Sequence, residues 1–117
     1  MLAVIFEVWP RESGKAEYLS IAAGLREFLK ERPGFISIER FQSLAEEGKL
    51  LSLSFWENED AVEQWRTLLA HRMAQRKGKN ELFDRYRIRV AQVLRDYSES
   101  DRAFAPPDSN DFHRSDA

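Results

Sequence analysis

Cysteine is absent from the 117-residue chain, which excludes disulfides, thiolate metal sites and cysteine nucleophiles. Histidine is scarce: His71 and His113 are the only two, too few for a multi-histidine metal site within one chain. No metal is expected. Long apolar runs are missing as well. None approaches the ~20 residues that a membrane-spanning helix needs, so no membrane partner is expected. The apolar stretch Leu2–Trp9 is too short for a signal-peptide core with its flanks, and no basic residue precedes it. The reading is a mature, cytoplasmic protein. Hydrophobic residues at 43% and charged residues at 32% exclude a fully disordered or collagen-like chain, and the length allows one domain.

Charge is nearly balanced at −2 but unevenly spread. The last twenty residues, Ser98–Ala117, contribute −3, whereas Arg72–Arg95 carries a local excess of +6. Such a cluster either attracts an anion or is a solvated face balanced by the acidic first half. A nucleic-acid partner is not expected, because the chain is acidic overall and its strands lack an aromatic RNA-binding pattern.

Periodicity divides the chain into six elements. Leu2–Trp9 is rich in β-branched and aromatic residues, stops at Pro10, and reads as a strand that is mostly apolar on both faces. Arg11–Gly14 is a turn, with Ser13 as the N-cap of a helix. Tyr18, Ile21, Ala22, Leu25, Phe28 and Leu29 form that helix's apolar stripe, and Pro33-Gly34 ends it. Phe35–Ser43 reads as a second strand, Leu44–Gly48 as a hairpin connection with Gly48 as the turn residue, and Lys49–Trp56 as a third strand. Asn58 caps a second helix, whose stripe is Ala61, Val62, Trp65, Leu68, Leu69, Arg72 and Met73. Gly78, in the basic loop Arg76–Asn80, is its stop. Leu82, Phe83 and Tyr86 suggest a short helical turn, and Arg87–Tyr97 a fourth strand.

The order β-α-β-β-α-β spells an α+β, ferredoxin-like arrangement: an antiparallel four-stranded sheet with two helices on one face. It occupies residues 1–97. Residues 98–117 contain no Leu, Ile, Val or Met and form a polar tail, disordered or surface-wrapping, with Phe104 and Phe112 as its possible anchors. Two helices cover only one sheet face. Trp9, Trp56 and Val93 join the first strand on the uncovered side in one register. Soluble monomers rarely expose so large an apolar patch. The expected partner is therefore a second copy, in a two-fold homodimer with sheets packed face to face.

Three stretches carry a family likeness: PGF opening the second strand, SFWENEDAVEQW running from the third strand into the second helix, and RIRVAQVLRDY in the last strand. Together with the element order they resemble the antibiotic biosynthesis monooxygenase (ABM) superfamily, the dimeric α+β barrel group, over about residues 1–97. The most telling part is the junction of Phe55-Trp56, acidic residues, Ala61 and then Trp65. The resemblance implies a pocket between helices and sheet, and an oxygenase needing no metal or flavin, hence no cofactor. An ionised, electron-rich substrate would pass an electron to oxygen and recombine with it. A small ionisable aromatic, quinol- or anthrone-like, is the implied ligand. Fold alone does not license a reaction, so a non-catalytic ligand-binding barrel is the alternative. Haem-degrading relatives are a further one, but they use an Asn on the first strand, and Leu2–Trp9 holds none.

Five residues are candidates for the site. Trp65, central in its stripe, either stacks on a flat substrate or is an ordinary core Trp. Arg72 lies seven positions later, nearly on the same face. It either holds an anion or makes a structural ion pair, with Glu7 or Glu39, or snorkels. His71, about 120° around the helix from Trp65, is a candidate base or an exposed flank residue. Glu7 is either a base with a raised pKa or one half of an interface ion pair to Arg40, Arg87 or Arg89. Tyr86, and after it Tyr97, can donate a hydrogen bond to a substrate oxygen.

Overall fold

In the computed structural model, residues 1–74 and 82–110 are described. The four strands are β1 (Leu2–Pro10), β2 (Phe35–Gln42), β3 (Leu50–Trp56) and β4 (Phe83–Gln92). The helices are α1 (Lys15–Leu29) and α2 (Glu59–Ala74). The sheet order is β2-β3-β1-β4, with every neighbouring pair antiparallel. This is the expected ferredoxin-like α+β fold. The expected helix stop at Gly78, the loop Arg76–Asn80, Phe112 and His113 lie outside the described residues.

Alternation in β1 explains the layering. Val4, Phe6 and Val8 are buried under the helices. The register aligns them with Ser54, Ser52 and Leu50 of β3 and with Val90, Ile88 and Tyr86 of β4. Against this face α1 packs Tyr18, Ile21, Leu25 and Leu29, and α2 packs Val62, Trp65 and Leu69. The opposite face carries Ala3, Ile5, Glu7 and Trp9, paired with Phe55, Leu53 and Leu51 on one side and with Ala91, Arg89, Arg87 and Arg85 on the other. Its centre is apolar, and neither helix covers it.

α2 starts where the sequence says it should: Asn58 Oδ1 accepts the Ala61 N–H at 2.9 Å. Glu59 and Asp60 stand in its first turn, and His71 and Arg72 in its last, as the helix dipole favours. α1 differs. A 3-10 turn, Glu12–Gly14, precedes it, and Gly14 rather than Ser13 is the N-cap, without a side-chain hydrogen bond. Phe28 belongs to the α1 stripe by spacing but is exposed, lying under the guanidinium of Arg32 at 4.3 Å. In the β2–β3 connection, Gly48 sits in the turn without a positive φ. The Gln42 side-chain amide fastens the loop, donating to the carbonyl of Glu47 at 2.8 Å and to that of Ser43 at 3.1 Å.

Two further expectations are corrected. Trp56 lies on the helix side, not the open side, because it opposes Leu2 and packs on Phe35 at 5.2 Å between ring centroids. β4 begins at Phe83 and ends at Gln92, not Arg87–Tyr97, and of the helical turn expected around Leu82, Phe83 and Tyr86, residues Phe83–Tyr86 are strand. The reason is the length of β1. Its last residue, Pro10, reaches Phe83, and its first, Leu2, reaches Gln92. Just beyond, the Val93 N–H donates to the Met1 carbonyl at 3.0 Å.

Candidate functional site

Between sheet and helices runs a chain of aromatic rings. Trp56 stacks obliquely on Trp65 at 6.1 Å between centroids, and Trp65 meets the edge of Phe6 at 6.0 Å. Phe6 in turn meets Tyr86 at 5.8 Å and Phe83 at 6.4 Å, and Phe83 meets Tyr18 at 5.3 Å. Alternation along β1 and β4 and the helical period of α2 bring these rings together. Trp65 is 3% exposed, whereas Tyr86, at the end of the chain of rings, is 60% exposed. The cluster thus leads from the core to solvent. The Trp56 indole N–H is satisfied by Ser54 Oγ at 2.8 Å.

Two polar groups border this interior that the sequence did not single out for it. Arg40 opposes Ser52, placing it on the helix side. Its Nη2 donates to the Ala22 carbonyl at 3.3 Å, and its buried Nε has no acceptor among the described residues. Burial pushes the Tyr18 phenol above its ordinary pKa, and the Arg40 charge and hydrogen bond oppose that shift. The available signal was parity: Arg40 is two residues after buried Ile38.

The remaining candidates separate. His71 is exposed on α2 and lines an open groove of about 710 Å³. Leu29, Arg32, Trp56, Asp60 and Gln64 also line that groove. Arg72 is half-buried, its guanidinium 5.7 Å from the Phe28 ring centroid. It therefore reaches toward α1. Among the described residues, no three His, Cys, Asp or Glu side chains are grouped to hold a metal ion.

Glu7 stands on the open face, across the sheet from Trp65. Arg89 Nη1 binds one of its carboxylate oxygens and Lys49 Nζ the other. Of the three partners expected, Arg89 is the one used, and Arg40 points to the other face. The Lys49 hydrogen bond, with help from Arg89, holds the Glu7 pKa below its ordinary value, although desolvation works the other way. The expectation of a raised pKa is thereby corrected: two cations outweigh burial. A depressed pKa adds stability above the unfolded-state value, and this is lost as pH falls through the folded-state value. Glu7→Gln should therefore flatten the acid limb of the stability profile below about pH 4.5 and leave its alkaline limb unchanged. Urea midpoints measured across pH 3–8 check this.

Among known proteins, the antibiotic biosynthesis monooxygenase family matches residues 1–77. The jasmonate monooxygenase ABM of Pyricularia oryzae is 46% identical over 93 residues, covering 80% of this chain. The chain spans only 43% of that relative's length. The uncharacterized protein YqjZ of Bacillus subtilis is 30% identical over 93 residues, covering 80% of this chain and 79% of its own. Solved structures share the fold. Rv0793 from Mycobacterium tuberculosis superposes with a TM-score of 0.70 at 20% identity, over 83% of this chain and 98% of its own. A point mutant of SnoaB, a cofactor-independent oxygenase from Streptomyces nogalater, superposes with a TM-score of 0.64 at 15% identity, over 81% and 94%. No helix among the described residues is long and apolar enough to cross a membrane. With the family match spanning β1 through α2, the chain belongs to the antibiotic biosynthesis monooxygenase family.

Proposed function

We propose that this protein is a cofactor-independent monooxygenase acting on a small, flat, ionisable ring compound, working as a two-fold homodimer with its open sheet faces packed together. The observation that carries the reading is the ring chain from buried Trp65 through Phe6 to solvent-exposed Tyr86. It offers an apolar stacking wall with a phenol at its outer end. A site of that kind holds an electron-rich anion and limits water, which is most of what such chemistry asks of a protein. The substrate enters as its anion and passes one electron to O2. The radical pair recombines to a peroxide, which takes up a proton and loses water to leave a carbonyl. One oxygen atom ends in the product and one in water, and the substrate supplies all the electrons. Trp65 and Phe6 form the wall, and Tyr86 donates a hydrogen bond to the substrate oxygen. His71 lines the groove beside Trp56 and Arg72 lies against Phe28, so neither is assigned a role on this wall.

The test is oxygen uptake by purified protein with a panel of anthrones, quinols and, from the name of the 46% identical relative, jasmonate, without added metal or reductant. Uptake with incorporation of one labelled oxygen atom supports the proposal. Uptake only on addition of a reductant overturns its cofactor-independent part. Tyr86→Phe removes one exposed hydroxyl, so the fold should be untouched while kcat/KM falls about ten-fold, the worth of a single hydrogen bond. Unchanged kinetics in this variant would remove Tyr86 from the site.

A further inference from the structure

Arg40 is a cation in a place that suits apolar side chains. It follows buried Ile38 on the face of β2 that looks at the helices. One row of pairing crosses the sheet from it: Arg40 opposes Ser52, Ser52 opposes Phe6, and Phe6 opposes Ile88. The backbones of Arg40 and Phe6 are thus two strand spacings apart, about 10 Å. α1 closes the space from the other side. Arg40 Nη2 donates to the Ala22 carbonyl at 3.3 Å, and the Tyr18 phenol, one helical turn earlier, lies within hydrogen-bonding reach of the same guanidinium. Tyr18 meets Phe83 at 5.3 Å between centroids, and Phe83 meets Phe6 at 6.4 Å and Tyr86 at 6.1 Å. The guanidinium therefore borders the ring cluster at its Tyr18 end, and Tyr86 opens the cluster to solvent at the other. Its charge is unanswered. No carboxylate pairs with Arg40 among the described residues, and its buried Nε has no acceptor there. A cation held out of water without a counter-charge is costly, so the ligand that suits it is an anion. The cations of the opposite face differ: Lys49 and Arg89 are engaged by Glu7.

We infer that Arg40, with the Tyr18 hydroxyl beside it, is the anion seat of the site: the Arg40 Nε–H and the Tyr18 O–H donate to the ionised oxygen of the ring substrate. This rests on the reading of the ring-lined interior as the site, and it supplies a part that reading requires. The chemistry starts from a substrate anion, and the rings alone offer an anion no counter-charge. A fixed cation favours the ionised form of a neighbouring hydroxyl, and a guanidinium presents its donors in a rigid plane that suits an oxyanion. Burial keeps the Tyr18 phenol protonated, so it donates to the same oxygen instead of competing for the cation. Arg40 and Tyr86 stand on the outer strands β2 and β4, with β3 and β1 between them. A substrate that reaches both carries oxygen at two separated points. Arg40 takes the one that ionises, and Tyr86 the one at the solvent end.

The test uses 4-nitrophenol, whose phenolate absorbs in the visible, titrated against pH with and without the full chain. Bound probe should ionise at lower pH than free probe, its phenolate binding about ten-fold tighter than its phenol, which is one pKa unit. Arg40→Met should abolish that preference and leave binding of the neutral phenol unchanged. Arg40→Lys keeps a cation and should retain part of it. Equal loss of phenol and phenolate binding in Arg40→Met marks a structural role and overturns the inference, as does a parent protein that binds neither form or both alike. Should Arg40→Met fail to fold, Tyr18→Phe decides on the same readout: a reduced preference supports the seat, and an unchanged one overturns it. Oxygen uptake separates the seat from the proposed function. Uptake with the same kcat/KM in parent and Arg40→Met overturns the seat and leaves the monooxygenase standing. An Arg40-dependent phenolate preference, without uptake on any ring compound of the panel, leaves the seat standing and overturns the monooxygenase.

Discussion

Trp65→Ala is expected to cost about 3–5 kcal/mol of folding stability, the range for emptying a large aromatic site in a packed core. That is a large part of what a domain of this size holds. Trp65 is buried among Phe6, Trp56 and the α2 stripe, so its loss opens a cavity in the middle of the helix–sheet interface. The measurement is the urea midpoint, which should fall steeply while the m-value stays near that of the parent. Trp65→Phe separates packing from function. It keeps a ring in place, so the fold should survive, while a ligand stacking on the indole should bind more weakly. Loss of the fold without loss of affinity in the surviving fraction would leave Trp65 as a core residue alone.

Gly34→Ala is expected to cost at least about 2 kcal/mol, although it adds only a methyl group. Gly34 has a φ of 85°, a left-handed conformation that costs a non-glycine residue about 1–2 kcal/mol. A Cβ there would also sit 2.7 Å from the Ala61 Cβ, at the start of α2. Overpacking of that kind adds about 1–3 kcal/mol more. The Gly34 carbonyl also accepts the Glu57 N–H at 2.8 Å, joining the start of β2 to the end of β3. Distortion at Gly34 therefore reaches the strand–helix junction that carries the family likeness. A thermal melt within a degree or two of the parent would contradict this account.

Much of the fold was legible because its signals are local. Alternation in Leu2–Trp9, the three- and four-residue recurrence from Tyr18 to Leu29, Pro33-Gly34 as a stop and Asn58 as a cap depend on a few neighbouring residues. Strand ends were not legible. Leu82, Phe83 and Tyr86 have a spacing that suits a helical turn, and only pairing with β1 makes Phe83–Tyr86 strand. The same holds for Trp56: its parity with Leu50, Ser52 and Ser54 was plain, but which face looks at the helices is a property of the whole sheet. For the site, Trp65's place in the stripe was readable. The company it keeps, Phe6 and Tyr86 from strands separated by most of the chain, was not.

The sequence by itself determined the order of elements, the amphipathic stripes and the excess of apolar surface over helix to cover it. Those follow from backbone periodicity and from the tendency of apolar side chains to leave water, which act residue by residue. Only the tertiary structure decided that Glu7 is gripped by Lys49 and Arg89 while Arg40 turns inward, that His71 opens onto the groove beside Trp56 while Arg72 lies against Phe28, and that the backbone of residues 94–97 makes no hydrogen bond among the described residues. Those outcomes depend on register, and register is set when strands far apart in the chain meet: a shift of one residue would send every side chain to the other face.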